Sequence, residues 1–357
     1  MLNDELKEIT MKKYLFTASI LAASVIFAGC QSTDETVNQS DNASQNQTEK
    51  DKLEIVTSFY PMYEFTKEIA GDNANVTLLI PSSVEPHDWE PAAKDLEEIQ
   101  NADALVFNNE NMETWIDEIK DTVNTEDLTI IDASQGIELL PFSAEEHEHE
   151  EEEHSHGGEE HDHEGEVHED ENHDHEAEEH EHHHEFDPHL WLSPKMAIKE
   201  VETIANNLMK IDPDNKKVYE ENKNSYIDKL KELDQKFEDA LGNVKNKEII
   251  TQHAAFGYLA DSYGLTQVPI AGLSPDAEPS AQQLKELKEF AKEHSINTIF
   301  FEENASSKVA ETLAKELNAK TAVLNTLEGL SVEDQEKNAT YLSIMEENLK
   351  VLKEALK

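Results

Sequence analysis

Three features of the 357-residue sequence predict an α/β fold of two lobes, each built on a mainly parallel sheet, joined by one long linking helix. Short apolar runs alternate with helical segments, a rhythm that builds βαβ units. That rhythm breaks off near residue 131 and resumes at residue 248. Between the two blocks stands a long amphipathic stretch without internal glycine or proline, the pattern of a continuous helix.

In order, Leu53–Phe59 reads as a strand, and Pro61 opens a helix to Ile69 that Gly71 stops. Val76–Ile80 is a second strand, ended by Pro81. Pro91 then opens a helix in which Leu96 and Ile99 share a face. Ala104–Phe107 is a third strand, Met112–Val123 a helix and Leu128–Ile131 a fourth strand. Ser193-Pro194 starts a helix to Ile211, broken by Asp212-Pro213. The helix that follows carries Tyr226, Leu230, Leu233, Phe237 and Leu241 on one stripe and ends at Gly242-Asn243. The second block gives strands at 248–251, 266–271, 298–302 and 320–324, with helices at 256–263, 280–293 and 306–317 between them. A closing helix places Leu342, Met345, Leu349, Leu352 and Leu356 on one face. The boundaries expected are therefore 52–212 for the first lobe, 213–243 for the linking helix and 244–357 for the second lobe.

Ahead of the lobes, Met11-Lys12-Lys13 and the apolar run Tyr14–Ala28 form the basic and apolar parts of a signal peptide. The run is too short for a comfortable membrane span. It ends in Phe27-Ala28-Gly29-Cys30, which resembles a bacterial lipobox with Phe27 where Leu is usual. Residues 1–30 are thus expected to be a signal peptide, with Cys30 the lipid anchor and Met11 a better start than Met1. Cys30 is the single cysteine, which excludes an internal disulfide. Residues 31–51 are polar and read as a flexible tether. An extracytoplasmic protein held on the outer face of the cell membrane is the expectation.

The formal net charge is −50, and no residue is arginine. Such a chain repels nucleic acid and attracts cations. Much of the charge lies between Glu145 and Glu185, where 21 acidic residues and 13 histidines occur without a lysine. Composition predicts a disordered loop over 144–186. Residues 180–184 match His-Glu-x-x-His, but a His/Glu tract generates that string by chance and offers no apolar face to bury. The tract can bind several Zn²⁺ ions weakly, as a gatherer or a sensor of zinc; a solubilising spacer is the bland alternative.

Four histidines lie outside it: His87, His189, His253 and His294. His294 sits late in a helix and reads as a solvated residue. A lone loop histidine is more often structural than a ligand. Here three of them occupy comparable places, in loops or at strand ends of the α/β pattern, where ligands of open parallel sheets bind. Trp89 and Trp191 follow two of them closely and suit a dry pocket wall. Three imidazoles and one carboxylate would close a tetrahedral Zn²⁺ site. Asp88 and Asp187 are candidate partners for the imidazoles, or caps for the following helices.

Four segments carry a more specific resemblance: Glu85-Pro86-His87-Asp88, Asp187-Pro188-His189-Leu190-Trp191, His253-Ala254-Ala255-Phe256 and Leu324-Asn325-Thr326-Leu327-Glu328. In these the chain resembles the solute-binding proteins of zinc ABC importers (cluster A-I, or cluster 9) from about Leu53 to Lys357. The acidic, His-rich loop before the second histidine is a trait of the zinc-type members. The resemblance implies two α/β lobes bridged by a long helix, with the metal site in the cleft. It implies His87, His189, His253 and Glu328 as ligands of a transported Zn²⁺. Glu302, Glu303 or water are alternatives to Glu328, and Glu302 is otherwise an auxiliary carboxylate. Manganese members place a carboxylate where His253 stands, so three imidazoles favour zinc; a member for another divalent metal, or a metal-binding adhesin, is the alternative reading. The partners implied are the permease and ATPase subunits of an importer, and a monomer is expected. A metallohydrolase would need an open coordination position and a placed base, and no motif supplies them.

Overall fold

The computed structural model describes residues 52–142, 186–275, 279–302 and 307–357. The expected signal peptide with Cys30, the tether, the tract from 144 to 185 and Glu303 lie outside them. The first block consists of β1 (Leu53–Thr57), α1 (Tyr60–Ala70), β2 (Ala74–Leu78), α2 (Ala93–Gln100), β3 (Ala104–Phe107), α3 (Ile116–Thr122) and β4 (Thr129–Asp132). Two helices follow, α4 (Pro194–Ile211) and α5 (Lys216–Leu241). The second block is β5 (Glu248–Thr251), α6 (Gly257–Tyr263), β6 (Thr266–Pro269), α7 (Ala281–Glu293), β7 (Thr298–Phe301), α8 (Lys308–Leu317), β8 (Lys320–Val323), α9 (Val332–Lys337) and α10 (Tyr341–Ala355).

Each block forms a four-stranded sheet in which every pairing is parallel, in the orders β2-β1-β3-β4 and β6-β5-β7-β8. The two halves thus repeat one topology without a sequence repeat. Parallel strands are covered on both faces, so their side chains alternate between two apolar layers. In β3, Ala104 and Val106 join the layer between the sheets while Leu105 and Phe107 join an outer one. In the second sheet, Ile249 and Phe300 face the shared layer, and Ile250 and Ile299 face the other side.

The shared layer is one continuous core built from α1, α4, α5, α6 and α10 together with both sheets. Its axis is α5, whose Tyr226, Leu230, Leu233, Phe237 and Leu241 are all buried, as the stripe in the sequence required. Each such side chain contributes about 1.5–3 kcal/mol by leaving water. Polar ties follow the same helix. The Asn222 amide donates to Ile69 O at 2.9 Å, and Asp234 accepts from Tyr263 Oη at 2.8 Å.

Several boundaries differ from the sequence reading. Helix α3 begins only at Ile116, not at Met112. Turns carry the chain from Asn109 to Trp115, because Glu113 turns inward and accepts from the N–H groups of Asn108 (3.0 Å) and Asn109 (3.1 Å). The second strand runs over Ala74–Leu78, two residues earlier than expected, since it must pair with β1 in register Ile55↔Val76. The short helix α9 has no counterpart in the sequence reading; Ser331 Oγ caps it by accepting from Asp334 N at 3.1 Å.

Candidate metal centre

The carboxyl edges of both sheets deliver polar side chains to one point. His87 comes from the loop between β2 and α2, and His189 from the turn ahead of α4. His253 follows β5, and Glu328 follows β8. Among the described residues these four form one group of candidate metal-holding side chains, their donor atoms all within 4.8 Å of one another. All four side chains are buried.

The spacing is specific. His87 Nε2 lies 3.1 Å from His189 Nε2, and His253 Nε2 lies 3.3 Å from the same atom. Glu328 Oε1 lies 3.6, 3.4 and 3.4 Å from the Nε2 atoms of His87, His189 and His253. A tetrahedron with metal–ligand bonds of about 2.0–2.1 Å has edges of about 3.3–3.4 Å. Five of the six edges of the group, 3.1–3.6 Å long, are thus close to those of a zinc coordination sphere. Two of the rings have their other nitrogen committed: His189 Nδ1 to Asp187 Oδ1 at 2.8 Å, and His253 Nδ1 to Glu302 Oε1 at 2.5 Å. Carboxylates accept there, so Nδ1 carries the proton and Nε2 presents its lone pair inward. Converging lone pairs repel unless a cation sits between them. Zn²⁺ fits this donor set by number, chemistry and distance.

The electrostatics agree. Burial pushes the His87 imidazole down to about 4. Burial acts in the same sense on His189 and His253, but there the neighbouring carboxylates outweigh it and hold both imidazoles above their ordinary value. Glu328 is held well below the usual carboxylate range, because the surrounding imidazoles, His253 foremost, overcome the cost of its burial.

Of the auxiliary residues expected, the structure brings Asp187 and Glu302 to the imidazoles and leaves Asp88 exposed on the surface. The carboxylate that faces the site from that loop is Glu85. Its Oε1 accepts from His87 N at 3.2 Å, and it lines a cavity of about 120 Å³ together with Glu302, Thr326 and Glu328. Burial and the charge of Glu328 push Glu85 up to about 8. Trp191 forms the expected wall: its ring lies 5.2 Å from that of His189, and its Nε1 donates to Thr326 O at 2.7 Å. Trp89 instead packs edge-on against Trp115 at 5.3 Å. His294 stays out of the group, stacked on Phe290 at the end of α7.

Several supporting residues carried no clear signal in the sequence. At Gly257 a Cβ would stand 2.3 Å from Asp187 Oδ2 and would have to displace the carboxylate that holds the His189 ring. Leu327, at φ 59°, adopts the left-handed backbone that aims Glu328, with its N–H held by Asn325 Oδ1 at 2.7 Å. Asn325 in turn is held by the buried Asn348 of α10.

Comparison with known proteins places this geometry. The model of the zinc-uptake complex component A, periplasmic, family (ZnuA) matches residues 55–355. The chain is 50% identical over 331 residues to the high-affinity zinc uptake system protein ZnuA of Bacillus subtilis (strain 168), covering 93% of this chain and 96% of that protein. It is also 50% identical over 316 residues to the zinc-binding lipoprotein AdcA of Streptococcus pneumoniae, covering 87% of this chain but 58% of that longer protein. Among solved structures, the Zn(II)-bound ZnuA-like domain of Streptococcus pneumoniae AdcA superposes with a TM-score of 0.68 at 46% identity, over 86% of this chain and 99% of that one. With the match spanning both sheets and all four converging side chains, the chain belongs to the ZnuA family of zinc-uptake complex components.

Proposed function

We propose that this chain is the extracytoplasmic solute-binding protein of a zinc ABC importer, and that His87, His189, His253 and Glu328 together hold one Zn²⁺ ion for delivery to the membrane permease. The observation that carries the reading is the spacing of the three Nε2 atoms and Glu328 Oε1, 3.1–3.6 Å apart across the contacts that define the group. Four protein donors close the coordination sphere, and that leaves no open position for an activated water. The protein therefore binds and hands on its metal rather than turning over a substrate.

Both halves contribute. The first, at 52–212, supplies His87 and His189; the second, at 244–357, supplies His253 and Glu328; the helix at 213–243 joins them. A core shared across α5 favours small lobe displacements over wide hinge closure. Docking on the permease would draw the two pairs of ligands apart and release the ion. Cys30 would carry the lipid that keeps the protein at the membrane surface; among the described residues no helix is long and apolar enough to cross one.

Metal analysis of the purified, untagged full chain tests the reading. One tightly held zinc per protein is expected, retained when residues 145–185 are deleted and lost on His253→Ala. Equal losses from His253→Ala and from a single histidine of the tract would refute the assignment.

A further inference from the structure

His189 is the last residue of a short segment whose backbone is gripped from two directions. The carbonyl of Asp187 accepts from the Tyr258 hydroxyl at 2.9 Å, and Tyr258 stands in α6 of the second half. The next carbonyl, that of Pro188, accepts from the side-chain amides of Asn108 at 2.7 Å and Asn109 at 3.2 Å. Those two residues directly follow β3 of the first half. Two consecutive carbonyls, immediately ahead of one candidate ligand, are thus tied to opposite halves, one to α6 and the other to the end of β3.

Each jaw is itself braced. Tyr258 Oη also accepts from Leu140 N at 2.9 Å, while Asp187 N donates to Leu140 O at 2.9 Å, so the phenol closes a ring of three hydrogen bonds, two through its hydroxyl and one between backbones. On the other side, the Glu113 carboxylate holds the N–H groups of both Asn108 and Asn109 and accepts from Ser58 Oγ at 2.5 Å. All of these groups except Leu140 lie in buried surroundings, where a hydrogen bond is strong and its loss costly. The exchange between halves is reciprocal. Trp191 of the first half donates to Thr326 O, two residues before Glu328 of the second. By contrast the His253 carbonyl is held by Thr251 and Gln267, both of its own half.

We propose that Tyr258, with Asn108 and Asn109, is a positioning clamp for His189 that couples the place of this ligand to the relative position of the two halves. The inference rests on the reading that His189 binds the metal. A hydrogen-bonded backbone is stiff along the bonds that hold it. A displacement of one sheet against the other therefore cannot be absorbed ahead of His189; it must move the ring or break a jaw. Moving the ring opens one corner of the coordination sphere, and a broken jaw frees the segment that holds the ring there. The clamp makes the closed arrangement rigid when the halves are in register and makes the ligand yield when they are not.

The test is the rate at which the full, zinc-loaded chain gives its metal to an excess of chelator, with the visible spectrum of the cobalt-substituted protein as a report on ligand geometry. Tyr258→Phe removes one oxygen and keeps the ring. It is expected to release zinc about tenfold faster, the lower end of what outer-shell partners contribute, and to alter the cobalt spectrum. Asn108→Asp keeps the shape but sets a carboxylate oxygen against the Pro188 carbonyl, and it should shift both readouts in the same sense. Tyr226→Phe is the control, because the Tyr226 hydroxyl is buried without a hydrogen-bond partner; it should leave both unchanged. If Tyr258→Phe fails to fold, Asn108→Asp alone decides. Release and spectrum like those of the unaltered chain in the folded variants overturn the clamp and leave the zinc site standing. An unaltered chain that holds no zinc overturns both.

Discussion

Asp187 Oδ1 stands 2.8 Å from His189 Nδ1 and, in the same span, 2.9 Å from His189 N, so one carboxylate oxygen fixes both the ring and the backbone of a single residue. Glu302 does the equivalent for the His253 ring at 2.5 Å. Each carboxylate sets the tautomer that turns Nε2 toward the metal and raises its basicity. Asp187→Asn and Glu302→Gln are therefore expected to weaken zinc binding about 10–100-fold each while leaving one site per chain. Competitive titration against a chelator of known affinity measures this, and wild-type affinity in both variants would contradict the role.

The pH dependence follows from which imidazoles hold protons before the metal arrives. His87 is pushed by burial to about 4 and enters the competition already neutral. His189 and His253 are buried too, yet their carboxylate neighbours hold them above the ordinary histidine value. Zinc must displace protons from these two, so its affinity is expected to fall as pH drops through and below the neutral range, and binding should release protons. Calorimetry in buffers of different ionisation enthalpy counts them directly. A binding enthalpy independent of the buffer would exclude the competition.

What the sequence revealed follows the strength of local signals. Strands 104–107 and 248–251, and the helix from Pro194 to Ile211, were legible to the residue, because apolar runs and proline breaks mark them locally. The three isolated histidines stood out for the same reason, each beside proline, tryptophan or a strand end. The acids were harder. Asp88 adjoins His87 yet points to solvent, whereas Glu85, across a proline, turns inward; the loop's path decides, and no periodicity encodes it. The helix expected from Met112 lost its first turn to Glu113, whose carboxylate is drawn to the backbone of Asn108 and Asn109. Tyr258 reaches Asp187 across 71 residues of chain, a contact that only the docking of α6 against the first half creates.

Glu200 offers a test of stability away from the metal. It lies on α4, wholly buried, with neither carboxylate oxygen hydrogen-bonded. Burial first, then the negative charges of Glu113 and Asp132, push it well above the ordinary value near 4.5. For a group whose folded value is raised, the stabilisation is fully present below the unfolded value and is lost as pH climbs toward the folded one. The metal-free protein should therefore lose up to about 1.4 kcal/mol per pH unit from this residue between about pH 5 and the folded value. Glu200→Gln removes that slope: it should match the unaltered chain near pH 4.5 and exceed it increasingly above. Denaturant unfolding across about pH 5–8 gives the comparison, and parallel curves would sink the idea.

The two halves also meet at Gly329, next to Glu328, where a Cβ would stand 2.2 Å from Ser82 O and 2.9 Å from Ser82 C. Backbone atoms cannot give way as a side-chain end does, so only glycine permits this approach. Ser82 belongs to the loop that carries His87, and both residues line the cavity beside Glu328. Gly329→Ala must separate the His87 loop from the Glu328 loop by more than half an ångström, a strain of about 1–3 kcal/mol. Without metal the loops can part and relieve it. With zinc bound, His87 and Glu328 are held to one ion and cannot. The strain should thus fall mainly on the zinc-loaded state, weakening binding by roughly 5–150-fold for those energies. Zinc should raise the melting temperature of the variant less than that of the unaltered chain, while the two metal-free proteins melt close together. Equal losses with and without zinc would assign Gly329 to the general packing of the fold rather than to the closure of the site.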